Sequence, residues 1–313
     1  MRRNFLTFVL FLATSSLCHG QILNQLNDKK DDSPIVIEAQ NSVVCDETAL
    51  KCVATGQAKA QKGTNTIYAD VLTVYFTEGK ERQITSVTVD GHVRMETPTE
   101  KAFGEHAHYD VALDRVIMTG GNLRIETQKE VLTARDSIEY RHKENQGIAR
   151  GNAIAQFPQK EQLLQAETLV AYFKPSSEKN KEGKEKMQVD RIEAEGNLLA
   201  SGTNGVVTGD RGVYHGNTEI VEVFNNVKVT QDGNVIEGGY AKANLKTNVA
   251  EMYPNPPHIS QTGPVKRISG IIIPNDAKKM KEKKDASGES SSGKSKGRQG
   301  FPWSAKKKQD KSS

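Results

Sequence analysis

Residues 54–76 read ATGQAKAQKGTNTIYADVLTVYF. The stretch contains two elements that recur through the chain. The first is a pivot, Gly56, followed by apolar–polar alternation. The pivot returns in VDGHVRM from Val89, TGGNLRI from Thr119, ARGNAIA from Ala149, AEGNLLA from Ala194 and FNNVKVT from Phe224. The pivot residues Gly56, Gly91, Gly121, Gly151, Gly196 and Asn226 are separated by 35, 30, 30, 45 and 30 positions. Gly and Asn accept positive φ, so each pivot reads as a hairpin turn. The triplets after them, such as Val93-Arg94-Met95 and Val227-Lys228-Val229, alternate with period two, the mark of half-buried strands. The second element is a small residue before a polar or acidic one: Ala69-Asp70, Ala134-Arg135-Asp136, Ala166-Glu167 and Gly209-Asp210, closed by Tyr75, Tyr140, Tyr172 and Tyr214. Helical spacing is not sustained in this stretch. The pattern predicts an all-β fold of many short antiparallel strands: a sandwich, jelly roll or solenoid.

The chain has 313 residues, enough to bury a sizeable core. Beyond the N-terminus no apolar run approaches the roughly 20 residues of a membrane-spanning helix. The widest pivot gap contains KPSSEKNKEGKEKMQ, residues 174–188, a charged low-complexity stretch that reads as a mobile surface loop inserted in one repeat. From about Asn275 the chain becomes a Gly/Ser/Lys tail, 275–313, with twelve Lys and Arg against five Asp and Glu. The whole chain is only +4, so the basicity belongs to this tail and the body is mildly acidic.

Residues 1–20, MRRNFLTFVLFLATSSLCHG, have the layout of a cleaved secretory signal: Arg2 and Arg3, an apolar stretch from Phe5 to Ala13, and Cys18 and Gly20 before a cut ahead of Gln21. An uncleaved anchor and a lipoprotein built on Cys18 are the alternatives. Residues 21–33 read as a linker. Secretion puts the mature chain in an oxidising space, where Cys45 and Cys52, flanked by strand-like residues in VVCDETALKCVA, suit a disulfide across a hairpin. The short loop limits its entropic contribution to about 2–3 kcal/mol. Two thiols alone make a poor metal site, and the spacing is not C-x-x-C.

The quoted stretch, with its opening strand PIVIEAQNSVV and closing VKRISGIIIP, resembles the LptA/OstA family of periplasmic lipopolysaccharide transport proteins over roughly residues 34–274. The resemblance implies an open, twisted β-jelly roll whose interior holds acyl chains. It also implies LptC-like and LptD-like β-jelly-roll partners and head-to-tail joining of protomers by strand pairing. The end strands would be Ile35 to Val44 and Lys266 to Ile273, the latter bracketed by Pro264 and Pro274. An open roll with two different free ends builds a filament rather than a closed dimer. The 174–188 insertion and the basic tail depart from the short family pattern.

Inward candidates for a lipid-lining face are Ile67, Val71, Val93, Met95, Leu123, Ile125, Ile154, Leu198, Val227 and Val229; each could equally fill a dry core. Lys59, Lys62, Arg94 and Arg124 could meet lipid phosphates or form a solvated strand face. The dense ligand cluster Glu105-His106-Ala107-His108-Tyr109-Asp110 lacks an identifiable third metal ligand. No P-loop, H-E-x-x-H or G-x-S-x-G motif is present, so no cofactor, metal or catalytic site is expected. The tail reads as a disordered, solubilising segment; its Lys runs also suit contact with an anionic membrane, helped by Trp303 at the interface, and the signal argues against nucleic acid. The expected function is a periplasmic lipopolysaccharide-binding transport protein that bridges inner- and outer-membrane complexes. The alternatives are an adhesin-like structural β-solenoid that binds no lipid, and a β-helical polysaccharide enzyme. Alkylation of native protein followed by mass spectrometry should find Cys45 and Cys52 unmodified; two alkylated thiols would contradict the disulfide.

Overall fold

Antiparallel pairing, mostly between strands adjacent in sequence, organises the chain. The computed structural model describes residues 34–179, 185–203, 205–247, 249–257 and 267–273. The expected signal (1–20), linker (21–33) and tail (275–313) lie outside the described residues. The strands are β1 (Ile35–Glu38), β2 (Ser42–Asp46), β3 (Lys51–Lys62), β4 (Asn65–Phe76), β5 (Ile84–Glu96), β6 (Glu100–Asp110), β7 (Arg115–Thr119), β8 (Arg124–Thr127) and β9 (Val131–Thr133). They continue as β10 (Ser137–Arg141), β11 (Gln146–Phe157), β12 (Gln162–Lys179), β13 (Glu185–Gly202), β14 (Gly205–His215), β15 (Ile220–Gln231), β16 (Asn234–Asn244), β17 (Val249–Tyr253) and β18 (Ser269–Ile271).

Alternate long strands carry an extra residue near the middle, where the register with their neighbours shifts. The breaks fall between Thr55 and Ala58 in β3, Asp90 and Val93 in β5, Arg150 and Ala153 in β11, Glu195 and Leu198 in β13, and Phe224 and Val227 in β15. Two consecutive positive-φ residues occupy each gap: Gly56-Gln57, Gly91-His92, Gly151-Asn152, Gly196-Asn197 and Asn225-Asn226. The pivots are therefore β-bulges inside strands and not hairpin tips. Both sites demand left-handed residues, so composition alone does not separate them. At the third pivot the positive φ belongs to Gly120 and Asn122, on either side of Gly121, and the strand is interrupted into β7 and β8.

The partner strands carry the second sequence element at the same level. The space a pivot Cβ would take is filled by a neighbouring side chain: Asn41 at Gly56, Asp70 at Gly91, Glu105 at Gly120, Asp136 at Gly151 and Glu167 at Gly196. His92 closes one such site with Nδ1 2.8 Å from Asp70 Oδ2, and Asn226 donates to both Asp210 oxygens at 3.1 and 3.0 Å. The small residue before the acid faces the other way, into the interior. Ala69 and Ala166 are buried there, and a Cβ at Gly104 would meet Leu123 at 3.0 Å and Met118 at 3.3 Å.

A row of aligned bulges bends the sheet along one line. The result is an open β-jelly roll in which two walls face each other across a shared apolar core. The first wall holds β2, β7, β10, β17 and one half of each long strand; the second holds β1, β8, β9, β18 and the other halves. The expected first end strand is thus split into β1 and β2, both paired with β3. The other expected end strand, Lys266 to Ile273, contributes only Ser269–Ile271, paired with β16 beside β17; Lys266 lies outside the described residues.

The expected loop at 174–188 is also corrected. Residues 174–179 and 185–188 extend β12 and β13 as a hairpin, with Lys174 opposite Gln188 and Pro175 opposite Met187. Low complexity hid the strands because Lys and Glu are depleted in strands, while Met187 still packs against the core. Cys45 and Cys52 pair across β2 and β3 and form a disulfide.

Gly91 has φ +78°, and a Cβ there would lie 2.3 Å from Asp70 Oδ2. Gly91→Ala is expected to cost at least about 1–2 kcal/mol, the left-handed penalty alone, read as a lower urea midpoint.

Candidate functional site

The interior between the walls is apolar and unevenly filled. From β12 to β17 it opens into a trough with about 1140 Å³ of unfilled space, counting its solvent-open mouth. Ile192, Val221, Val223 and Met252 line it from the first wall, and Leu164, Leu198, Val207, Val229 and Ile236 from the second. Small residues make room on both sides: Ala194, Gly212, Ala241 and Ala243 against Ala200. A smaller space of about 570 Å³ continues towards β8 and β9, bounded by Ile125, Leu132, Tyr140, Phe157 and Phe173 and sharing Leu164 and Ile192 with the trough.

Of the ten inward candidates, Leu198 and Val229 line the trough and Ile125 the smaller space. Ile67, Val93, Met95, Leu123 and Val227 are buried in the core. Val71 and Ile154 are half-buried and lie on the opposite face from their buried neighbours Leu72, Ala153 and Ala155. The bulges explain Val71: between Tyr68 and Val71 two residues of β4 oppose three of β5, the inward set changes from Ile67 and Ala69 to Leu72 and Val74, and a parity counted from Ile67 fails beyond that point. Ile154 points outward, and the inner face of β11 near the bulge carries Ala153 and Ala155 because the walls converge there. Ile192 shares its inward parity with Leu198 in β13, and Val221 and Val223 share theirs with Val227 in β15, so counting back across each pivot finds them.

The basic candidates are engaged on the outer face. Lys59 Nζ is 3.1 Å from Glu38 Oε2. Arg94 stacks over Tyr68 at 4.1 Å and Arg124 over Phe103 at 4.5 Å, each opposite its ring in the strand register. Arg191 on Tyr172 and Arg211 on Phe224 repeat the arrangement. These cross-strand cation–π pairs stiffen the outer surface. Glu139, 4% exposed, is held by Arg141 Nε at 2.7 Å and Arg150 Nη1 at 2.8 Å. Burial alone would raise its carboxyl, but the two guanidinium bonds outweigh that and keep it below the usual range. His106 Nδ1 sits 2.9 Å from Asp90 Oδ1. Among the described residues no group of three or more His, Cys, Asp or Glu is placed to hold a metal ion.

Two acids lie inside the roll at the rim of the second wall. The turns Glu96-Thr97-Pro98-Thr99-Glu100 and Glu126-Thr127-Gln128-Lys129-Glu130 are built alike: the Thr hydroxyl accepts the amide of Glu100 at 3.1 Å in one and of Glu130 at 3.0 Å in the other. Glu100 and Glu130 are 3% and 2% exposed. Burial, then the charge of Glu100, pushes Glu130 up to about 8, against the weaker pull of Lys129 and Lys160. Facing them from the first wall, the Tyr140 phenol is pushed up to about 12 by burial and then by Glu100 and Asp114. Tyr140 packs edge-on to His142 at 4.7 Å and beside Phe173 at 6.2 Å.

Two overlapping segments, residues 36–146 and 134–249, match the family model described as LptA/(LptD N-terminal domain) LPS transport protein. Among solved structures, one that is similar is LptH, the LptA-homologous periplasmic component of the lipopolysaccharide transport device of Pseudomonas aeruginosa. It is 13% identical, with 78% of this chain and 98% of that chain covered and a TM-score of 0.20. None of the curated proteins matches the chain.

The raised Glu130 has a defined pH signature. The folded state favours its protonated form, so that stabilisation is complete below the ordinary carboxylate range and declines as pH rises towards about 8. Urea midpoints measured across that window should fall with pH for the unaltered chain and fall less steeply for Glu130→Gln.

Proposed function

From the premise that the chain belongs to the family of LptA and the LptD N-terminal domain, lipopolysaccharide transport proteins, we propose that it carries lipopolysaccharide by sheltering acyl chains between its two walls. The observation that carries this reading is the trough from β12 to β17. It is lined by aliphatic side chains from both walls and keeps an open mouth through which a polar headgroup would stay in water. A dry core of this size would close on itself, because tight packing is the default for apolar interiors. Each methylene sheltered there contributes about 0.8 kcal/mol, so even part of one acyl chain would be held firmly. Leu198 and Val229 are the trough-lining residues among the sequence candidates, joined by Ile192, Val207, Val221 and Ile236. No enzymatic step is required of a carrier, and the direction of transport would come from an energy-consuming partner.

Exposed apolar residues at the two ends support strand-to-strand docking. Ile35, Val36, Val43 and Val44 stand exposed on β1 and β2, and Val249, Tyr253 and Ile271 on β17 and β18. Two unlike edges suit head-to-tail joining of protomers and of LptC-like and LptD-like rolls, making a bridge between inner and outer membranes. The reading places the mature chain in the periplasm after loss of residues 1–20. The described residues include no helix long and apolar enough to cross a membrane. The basic tail would rest on an anionic membrane surface.

Protein purified from its own envelope should yield lipopolysaccharide or lipid A on extraction and mass spectrometry. Val229→Trp, at a half-buried trough position, should lower that yield about tenfold, the equivalent of about 1.4 kcal/mol, without lowering the melting temperature. A folded chain that co-purifies with no lipid and takes up no added lipopolysaccharide would overturn the reading.

A further inference from the structure

We propose that the roll is divided by an internal gate at β5–β11, so that acyl chains in the isolated protein occupy only the trough from β12 to β17. This rests on the lipid-carrier reading and adds where the ligand stops. Three independent features converge on the same level of the roll.

The first is packing. Val93, Met95, Ala102, Met118 and Leu123 are 0–3% exposed and form a block between the walls. Met118 and Leu123 approach Gly104 so closely that even a methyl group there would crowd them. On the trough side Val207 and Val221 are each 8% exposed, and Val229 and Ile236 are half-buried, so solvent reaches the wall there.

The second feature is the mouth. Over the block, Glu100 and Glu130 line the rim of the second wall, and Tyr140 faces them from the first, with His142 and Phe173 stacked around its ring. Phe157, 2% exposed, adjoins the Glu130 turn, and Gln159 Nε2 ties the two segments by donating to Gln128 O at 3.2 Å. Burial and then the neighbouring Glu100 favour the protonated form of Glu130, which lowers the cost of closing the rim over it.

The third is the backbone. Between the end strands of the roll, and among the described residues, only here are the strands interrupted rather than bulged, as β7 with β8 and β9 with β10. The two walls here are joined by short segments, residues 120–123 and 134–136, instead of continuous strands. They can separate with less distortion than elsewhere, as a gate between two rigid halves requires.

The test is photo-crosslinking with lipopolysaccharide as the probe. A benzophenone amino acid is placed at Val229 on the trough side or at Ala60 on the far side; both positions are half-buried and tolerate a larger group. The loaded full-length chain is irradiated and the adduct quantified. The proposal expects an adduct at Val229 and none at Ala60. Tyr140→Ala should bring an adduct at Ala60 while leaving the one at Val229; should that variant not fold by its circular dichroism melt, Phe157→Ala takes its place. Equal adducts at both positions in the unaltered chain would overturn the gate and leave the carrier reading standing. So would an opened, folded variant that still gives none at Ala60. No adduct at Val229 would overturn the carrier reading and the gate with it.

Discussion

The bulge at the middle of alternate long strands is the constraint on which the rest of the structure depends. A flat antiparallel meander of this length would expose both faces, and one face of it is strongly apolar. Two successive left-handed residues in every other strand bend the ladder sharply. Because the bends align from β3 to β15, they add up to a fold line and not to scattered kinks. Everything on the inner side of that line becomes interior, and everything outside becomes the charged and aromatic surface.

The fold line also explains why small and acidic residues travel together in the sequence. Where two walls converge, an inward side chain must be small, hence Ala69, Gly104, Ala166 and Gly209. The next residue points outward, over a pivot with no Cβ, and an acid or amide fills that space and bonds to the pivot's polar neighbours. Asp70 with His92 and Asp210 with Asn226 do so directly. Away from the line the walls diverge, and larger aliphatic residues line the space between them.

Function follows from how that space is filled. Towards β17 the walls stay apart, and aliphatic side chains face an open mouth. Around β5–β8 methionine and leucine close the gap, and buried acids with Tyr140 seal the rim. A uniform channel would have been the simpler product of a uniform repeat. The departure arises from particular side chains, Met95, Met118, Leu123, Tyr140 and Phe157, placed on the same backbone grammar. The outer surface is built for stiffness: arginines stacked on aromatic rings, with Glu139 clamped between two guanidinium groups.

The all-β class, the antiparallel meander, the Cys45–Cys52 pairing and the family were legible in the sequence, because period-two alternation and the spacing of Gly and Asn are local properties of the chain. The position of the pivots within strands was not legible, since a hairpin tip and a bulge ask the same φ of the same residue types. From that one ambiguity came the misassigned face of Val71: opposite a bulge the neighbouring strand reverses its inward parity, from Ile67 and Ala69 to Leu72 and Val74 in β4, and only the register shows where. The strand pairing of 174–179 with 185–188 was hidden in turn by the charge of the stretch, since Lys and Glu are depleted in strands. Which apolar residues border open space and which are locked in a dry core depends on the distance between the walls. That distance is set by side chains far apart in sequence, so the tertiary structure alone decided it.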